Sequence, residues 1–153
     1  MKILKRILLV GWLILIFCLS AQPANDSTVT SNFVGELIYK LYSLIVSKDN
    51  TIDIALFLQK YISVIRKLAH FTEFAILGIL FYINFDLFHT NKRLILSIMF
   101  SVIYAISDEI HQLFVVNRHC SVNDIFIDSI GAISGILLFH LIEDLWKKRS
   151  VSY

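Results

Sequence analysis

Charge, cysteine and proline are all scarce in this chain. Charged residues fill 17% of its 153 positions, and the net charge is only +2. A balance that small and dispersed excludes the basic footprint of a nucleic-acid binder. Cysteine occurs twice, at Cys18 and Cys120, so there is no CxxC pair and no disulfide framework. A Cys18–Cys120 bridge is geometrically open, but two cysteines alone are weak ground for one. No Ser-His-Asp arrangement, nucleophilic cysteine or internal repeat stands out. The one proline, Pro23, sits in a run of small polar residues, 22–31, which reads as a linker.

What fills the chain is apolar. It is 57% hydrophobic with a mean hydropathy of +0.72. A soluble domain of this length needs more polar surface. The expectation is therefore an all-α, multi-pass transmembrane bundle forming one domain over residues 1–153. At ~20 residues per span there is room for about four spans, placed near 7–21, 68–88, 94–114 and 122–142. The first span is short, and Lys2, Lys5 and Arg6 must snorkel for it to cross. A cleaved signal peptide, with Ser20 or Ala21 before the cut, is the rival reading. Eight of the fourteen Lys and Arg residues fall in the two ends and the 91–93 turn. The positive-inside rule then puts both termini in the cytoplasm. Asn84 and Asp86 read as interfacial partners of Lys92 and Arg93, His89 as a loop residue and His140 as an interface residue.

The outer loop, 22–66, is expected to hold one or two interfacial helices. Residues 33–46 are apolar but broken by Glu36 and Lys40, too short and too charged to span. Ile54, Leu58, Tyr61, Ile62 and Ile65 then recur at helical spacing. Ordinary packing over the bundle explains both stretches equally well.

The polar residues inside the spans are the main signal. At ~1.5 Å rise per residue, Glu73 lies ~8 Å into its span, and Asp108 and Asp128 lie ~9 Å in, all from the outer side. His70, His111 and Asp124 are about one turn shallower. Three segments thus deliver ionisable groups to one depth, which is a functional-site signal in lipid. Faces agree with depth. Arg66, His70 and Glu73 share one helix face, as do Tyr104, Asp108 and His111. Glu109 points about 100° away and is placed to pair with Gln112. Asp124, Asp128, Gly131 and Gly135 form one face, whose glycines let helices approach closely. Ser121 and Asp124 fit a helix N-cap with an acid in the first turn.

Each element also has a plainer reading. Glu73 is a candidate structural partner of Arg66 or Arg118, Asp124 a simple helix-start acid, and the glycines simple packing. As a set, the residues allow three chemistries. His70, Asp108, Glu109, His111 and Asp128 have the donor types for a divalent metal such as zinc or manganese, though their spacing matches no zinc signature. A histidine or glutamate in low dielectric is a candidate general base. Arg66, Lys67 and Arg118 have the chemistry to bind phosphate or carboxylate at the headgroup level.

These residues resemble the VanZ-like family, named for a teicoplanin-resistance protein. The matching stretches are Arg66-Lys-Leu-Ala-His70-Phe-Thr-Glu73-Phe, then Ser107-Asp-Glu-Ile-His-Gln112-Leu-Phe, then Arg118, and Asp124 to Asp128-Ser-Ile-Gly131. The resemblance covers about 66–138. It carries the family's polar positions onto Lys67, His70, Glu73, Asp108, Glu109, His111, Gln112, Arg118 and Asp124. The turn Val116-Asn117-Arg118 departs from it, since the family usually has Pro-Gly or a similar pair before the Arg. The resemblance implies a bacterial integral membrane protein linked to reduced susceptibility to teicoplanin-type lipoglycopeptides, but no settled reaction. The expected role is a site at the outer leaflet that binds or modifies an anionic envelope lipid, a lipid-linked wall precursor or a lipoglycopeptide. In it, His70, Glu73, Asp108, Glu109 and His111 would do acid–base or metal work. Arg66, Lys67, Gln112, Arg118, Asp124 and Asp128 would bind. The alternative is a non-catalytic membrane protein whose polar network orders the bundle or docks a partner. A transporter ranks third, because the mid-span stretches are essentially dry.

Overall fold

The computed structural model describes residues 2–45 and 53–151. Residues 46–52, part of the outer loop read above, lie outside them. The described residues form five α-helices and no strand: α1 Lys2–Ser20, α2 Ala24–Ile45, α3 Ile54–Asn84, α4 Thr90–Gln112 and α5 Val122–Val151.

Three of these helices are long and apolar enough to cross a membrane: α1, α4, and α5 up to Arg149. The expected second span falls in the C-terminal half of α3, which is less apolar because it carries His70, Thr72, Glu73 and Asn84. Polar groups at membrane depth must be covered by protein. Accordingly α3 is the central helix and touches all four others. Its residues Phe74, Leu77, Phe81 and Tyr82 are buried.

Two expectations about the outer segment need correction. Most of 22–31 is helical, because α2 starts directly after Pro23, whose fixed φ suits a helix entrance. The 54–66 stretch is not a separate interfacial helix. It is the first part of α3, a single 31-residue helix with no proline or glycine to interrupt it before Gly78. The Asp53 side chain caps this helix, accepting the Ala55 N–H at 2.7 Å. α2 packs against that part of α3, with Tyr39 edge-on to Phe57 at 5.4 Å.

The interior has a dry middle and two polar ends. Phe74, Leu77, Ala105, Ala132 and Ile136 are wholly buried in the middle. At one end Lys5 of α1 pairs with Asp86 at 2.9 Å, and the Asn84 amide donates to the Lys5 carbonyl. Those partners replace the expected Lys92 and Arg93, because α1 starts beside the α3–α4 turn. Arg93 instead pairs with Glu143 at 2.9 Å and lies 3.6 Å over the Tyr82 ring. Tyr82 Oη and His140 Nδ1 are 2.9 Å apart, so His140 joins α5 to α3. His89 precedes α4 as its N-cap residue but makes no side-chain cap bond.

Helices α3 and α5 meet backbone to backbone. A Cβ added to Gly131 would stand 3.0 Å from the Phe71 carbonyl carbon, and one on Gly135 would stand 2.8 Å from that of Ala75. Only glycine permits so close an approach. The spacing read from sequence as a packing face is used as one.

Candidate functional site

The second polar end gathers what the sequence placed at one depth. His70 comes from the middle of α3, Asp108 from the last turns of α4, and Asp128 from the second turn of α5. One donor atom from each lies within 4.8 Å of the others. Asp108 is 4% exposed and Asp128 is fully buried. His70 Nδ1 stands 3.8 Å from Asp128 Oδ1. Neither Asp128 oxygen has a hydrogen-bond partner among the described residues, and neither does His70 Nδ1.

Asp108 is held from two sides. Its Oδ2 accepts Ser20 Oγ at 2.9 Å and Gln112 Nε2 at 3.0 Å. Gln112 Oε1 in turn accepts Arg118 Nη1 at 3.3 Å, and Arg118 Nε donates to the Gln22 carbonyl at 3.1 Å. This chain of bonds ties the end of α1, the last turn of α4 and the α4–α5 turn together. Burial and the neighbouring Arg66 charge push the Arg118 guanidinium below its ordinary pKa.

The turn itself explains the departure from Pro-Gly. Asn117 has φ 59°, the left-handed region. Asparagine is one of the few side chains that tolerate it, so it takes a glycine's place. The turn then delivers the Ser121 N–H to Glu109 Oε2 at 2.8 Å. Ser121 Oγ also accepts the Asp124 N–H at 3.3 Å, as the N-cap reading expected.

Arg66, His70, Glu73 and Arg118 line one cavity of about 70 Å³, with Leu19, Ser20, Gln22 and Ala69 completing the wall. That is room for about two waters at ~30 Å³ each. A second, apolar groove of about 360 Å³ runs between α1, α2 and α3, lined by residues including Trp12, Val34, Ile38, Ile65 and Leu68. Ala69 and Glu73 belong to both linings.

The other expected site residues are placed less centrally. Glu109 is fully buried, but its partner is the Ser121 backbone; Gln112 pairs with Asp108 and not with Glu109. One turn of helix makes the Asp108–Gln112 pairing as short as the expected one, and Ser20 and Arg118 draw Gln112 to that side. His111 stacks on Phe17 with centroids 4.4 Å apart. With Tyr104 bonded to the Leu13 carbonyl, the Tyr104–Asp108–His111 face is the one turned to α1. Lys67 is exposed. Asp124 is half-buried at the start of α5, and Glu73 makes no ion pair with Arg66 or Arg118 among the described residues. Cys18 and Cys120 are free and exposed.

Sequence reasoning missed Ser20 and Gln22. Ser20 was legible only as a cleavage-site residue, although a hydroxyl at the end of an apolar run lies at the same depth as Asp108. Trp12 was also missed as an anchor; its Nε1 donates to the Glu73 carbonyl at 3.0 Å.

A family model described as VanZ/LLP1 matches residues 6–143. No curated protein matches the chain. No solved structure matches it either.

Proposed function

The chain belongs to the VanZ-like family, and from that premise we propose that this membrane protein binds or modifies an anionic envelope lipid or lipid-linked molecule. The site lies at the extracytoplasmic leaflet of the bacterial cell membrane, with both termini in the cytoplasm. The positive-inside bias supports that orientation.

One observation carries the reading. A polar cavity flanked by Arg66 and Arg118 shares Ala69 and Glu73 with an apolar groove. An amphiphile with an anionic head has the matching chemistry, head in the cavity and chain in the groove. Arg suits a phosphate or carboxylate because its fork makes two parallel bonds. Exposed Lys67 adds charge at the same level, while Gln112 fixes Arg118. Asp124 and Asp128 stand on the α5 side, Asp128 with its Oδ1 3.8 Å from Nδ1 of the cavity residue His70. His70, Glu73, Asp108, Glu109 and His111 supply the acid–base groups for any chemistry on the bound head. α1 stays in the mature protein on this account, since Ser20 and Trp12 are bonded into the site's frame.

The test is equilibrium binding of a tail-labelled anionic phospholipid to the purified protein, against a zwitterionic competitor. Arg66→Gln and Arg118→Gln are expected to weaken anionic binding at least tenfold each. Equal affinity for both lipids overturns the reading. The resistance role is tested by the teicoplanin inhibitory concentration in a susceptible host expressing wild type or His70→Ala at equal membrane levels. A rise with wild type alone supports it; no rise with wild type removes it.

The bonded chain Ser20–Asp108–Gln112–Arg118 favours a second reading, a purely structural network or docking face. Membrane levels separate the two. Glu109→Gln and His111→Ala proteins that persist but lose function support a working site; proteins that vanish support a structural one.

A further inference from the structure

The most demanding feature of the bundle is the Asp128 carboxylate. It is fully buried, and neither oxygen has a hydrogen-bond partner among the described residues. Buried carboxylates are held by donors, by a counter-charge or by a metal. A second buried carboxylate, Asp108, stands within the same 4.8 Å cluster, so two negative groups face each other. Neither nearby guanidinium neutralises them. Arg118 donates to Gln112 and to the Gln22 carbonyl, and Arg66 Nε has no hydrogen-bond partner.

The third member of the cluster is an imidazole. His70 directs Nδ1, which likewise has no hydrogen-bond partner, at Asp128. Two carboxylates and one imidazole form a donor set that suits a first-row divalent cation, zinc and manganese above all. We propose that His70, Asp108 and Asp128 hold one divalent transition-metal cation, with zinc as the best match to mixed nitrogen and oxygen donors.

Three further observations fit. Donors ~2.1 Å from one tetrahedral ion lie ~3.4 Å apart, so the cluster, whose donor atoms lie within 4.8 Å of one another, closes on loading by up to ~1.4 Å, within reach of side-chain rotation. The Asp108 bonds both fall on Oδ2, which leaves Oδ1 uncommitted among the described residues and gives the ligand an outer support from Ser20 and Gln112. Three protein ligands leave a fourth tetrahedral position free, and one of them, His70, also borders the cavity. Three protein ligands with one open position is the pattern of a working site, not a closed structural one. The three helices that supply the ligands are the three brought together by the Gly131 and Gly135 contacts and the α4–α5 turn.

The proposal stands apart from the lipid reading, because metal uptake is measured with no lipid ligand added. Full-length protein in detergent is stripped with chelator, then titrated with ZnCl2 alone and, separately, with MnCl2. Bound metal is counted by mass spectrometry, and unfolding is followed by circular dichroism. About one equivalent of zinc per chain and a raised unfolding midpoint are expected. Asp128→Asn and His70→Ala should weaken uptake at least ~100-fold. Ser20→Ala, which removes only an outer support, should weaken it about tenfold. Asp86→Asn, at the opposite polar end of the bundle, should leave it unchanged. Folded wild type that takes up neither metal overturns the proposal. Uptake that survives in folded Asp128→Asn and His70→Ala also overturns it. If either variant fails to fold, the wild-type titration and Ser20→Ala still decide the matter.

Discussion

Replacing Gly135 by alanine tests whether backbone contact between α3 and α5 sets the site. The new Cβ would stand 2.8 Å from the Ala75 carbonyl carbon and closer still to its oxygen. Carbon atoms in good contact are ~3.5 Å apart or more, so the helices must part by ~0.7 Å. Overpacking of this kind costs about 1–3 kcal/mol. Alanine returns up to ~1 kcal/mol through better helix propensity, leaving a net loss of roughly 0–2 kcal/mol against wild type and about 1–3 kcal/mol against an unclashed glycine-to-alanine change. Gly11→Ala is the control, because a Cβ there meets nothing within 4 Å. That variant carries the propensity gain without the clash and should be neutral or slightly stabilised. The assay is reversible unfolding in mixed micelles, followed by helical circular dichroism. Gly131→Ala should behave like Gly135→Ala and also disturb the site, since Gly131 lies one turn from Asp128 and its contact, Phe71, adjoins His70. If Gly135→Ala is as stable as Gly11→Ala, the close-approach argument is wrong.

Three other outcomes follow from particular contacts. Asn117→Val should lose about 1–2 kcal/mol, because a branched side chain is strained at φ 59°, while Asn117→Gly should match wild type in the same unfolding assay. Arg93→Lys keeps the charge but loses the Nε bond to the Tyr82 carbonyl and the guanidinium stack on the Tyr82 ring. It should cost about 1 kcal/mol, and a variant as stable as wild type removes that contact from the account. A membrane-impermeant maleimide should label exposed Cys120 on intact cells and leave a Cys120→Ser protein unlabelled; no labelling until the cells are opened reverses the proposed orientation.

Helix content and the gathering of polar groups from separate helices were readable because both follow from one-dimensional rules. A 1.5 Å rise per residue put Glu73, Asp108 and Asp128 at one level, and the structure gathers His70, Asp108 and Asp128 there. The spacing of Gly131 and Gly135 likewise foretold a packing face. Pairings were less legible, because they depend on which helix lies beside which. Asp86 finds Lys5, 81 residues away, rather than its neighbours Lys92 and Arg93. Gln112 turns to Asp108 because Ser20 arrives from α1. The continuity of α3 was hidden by its chemistry. The polar run Arg66, Lys67, His70 and Glu73 looks like the edge of a membrane, yet it lies inside a single helix.

The account's central claim is that one anionic amphiphile occupies the arginine-lined cavity and the apolar groove together. The most direct test places a photo-crosslinking side chain at Val34, in the groove, and identifies what it captures in membranes by mass spectrometry. The predicted result is an anionic lipid or lipid-linked molecule, captured through its chain. That capture should fall sharply when Arg118, at the far end of the cavity, is changed to alanine. Capture of lipids in bulk membrane proportions, indifferent to Arg118→Ala, contradicts the claim.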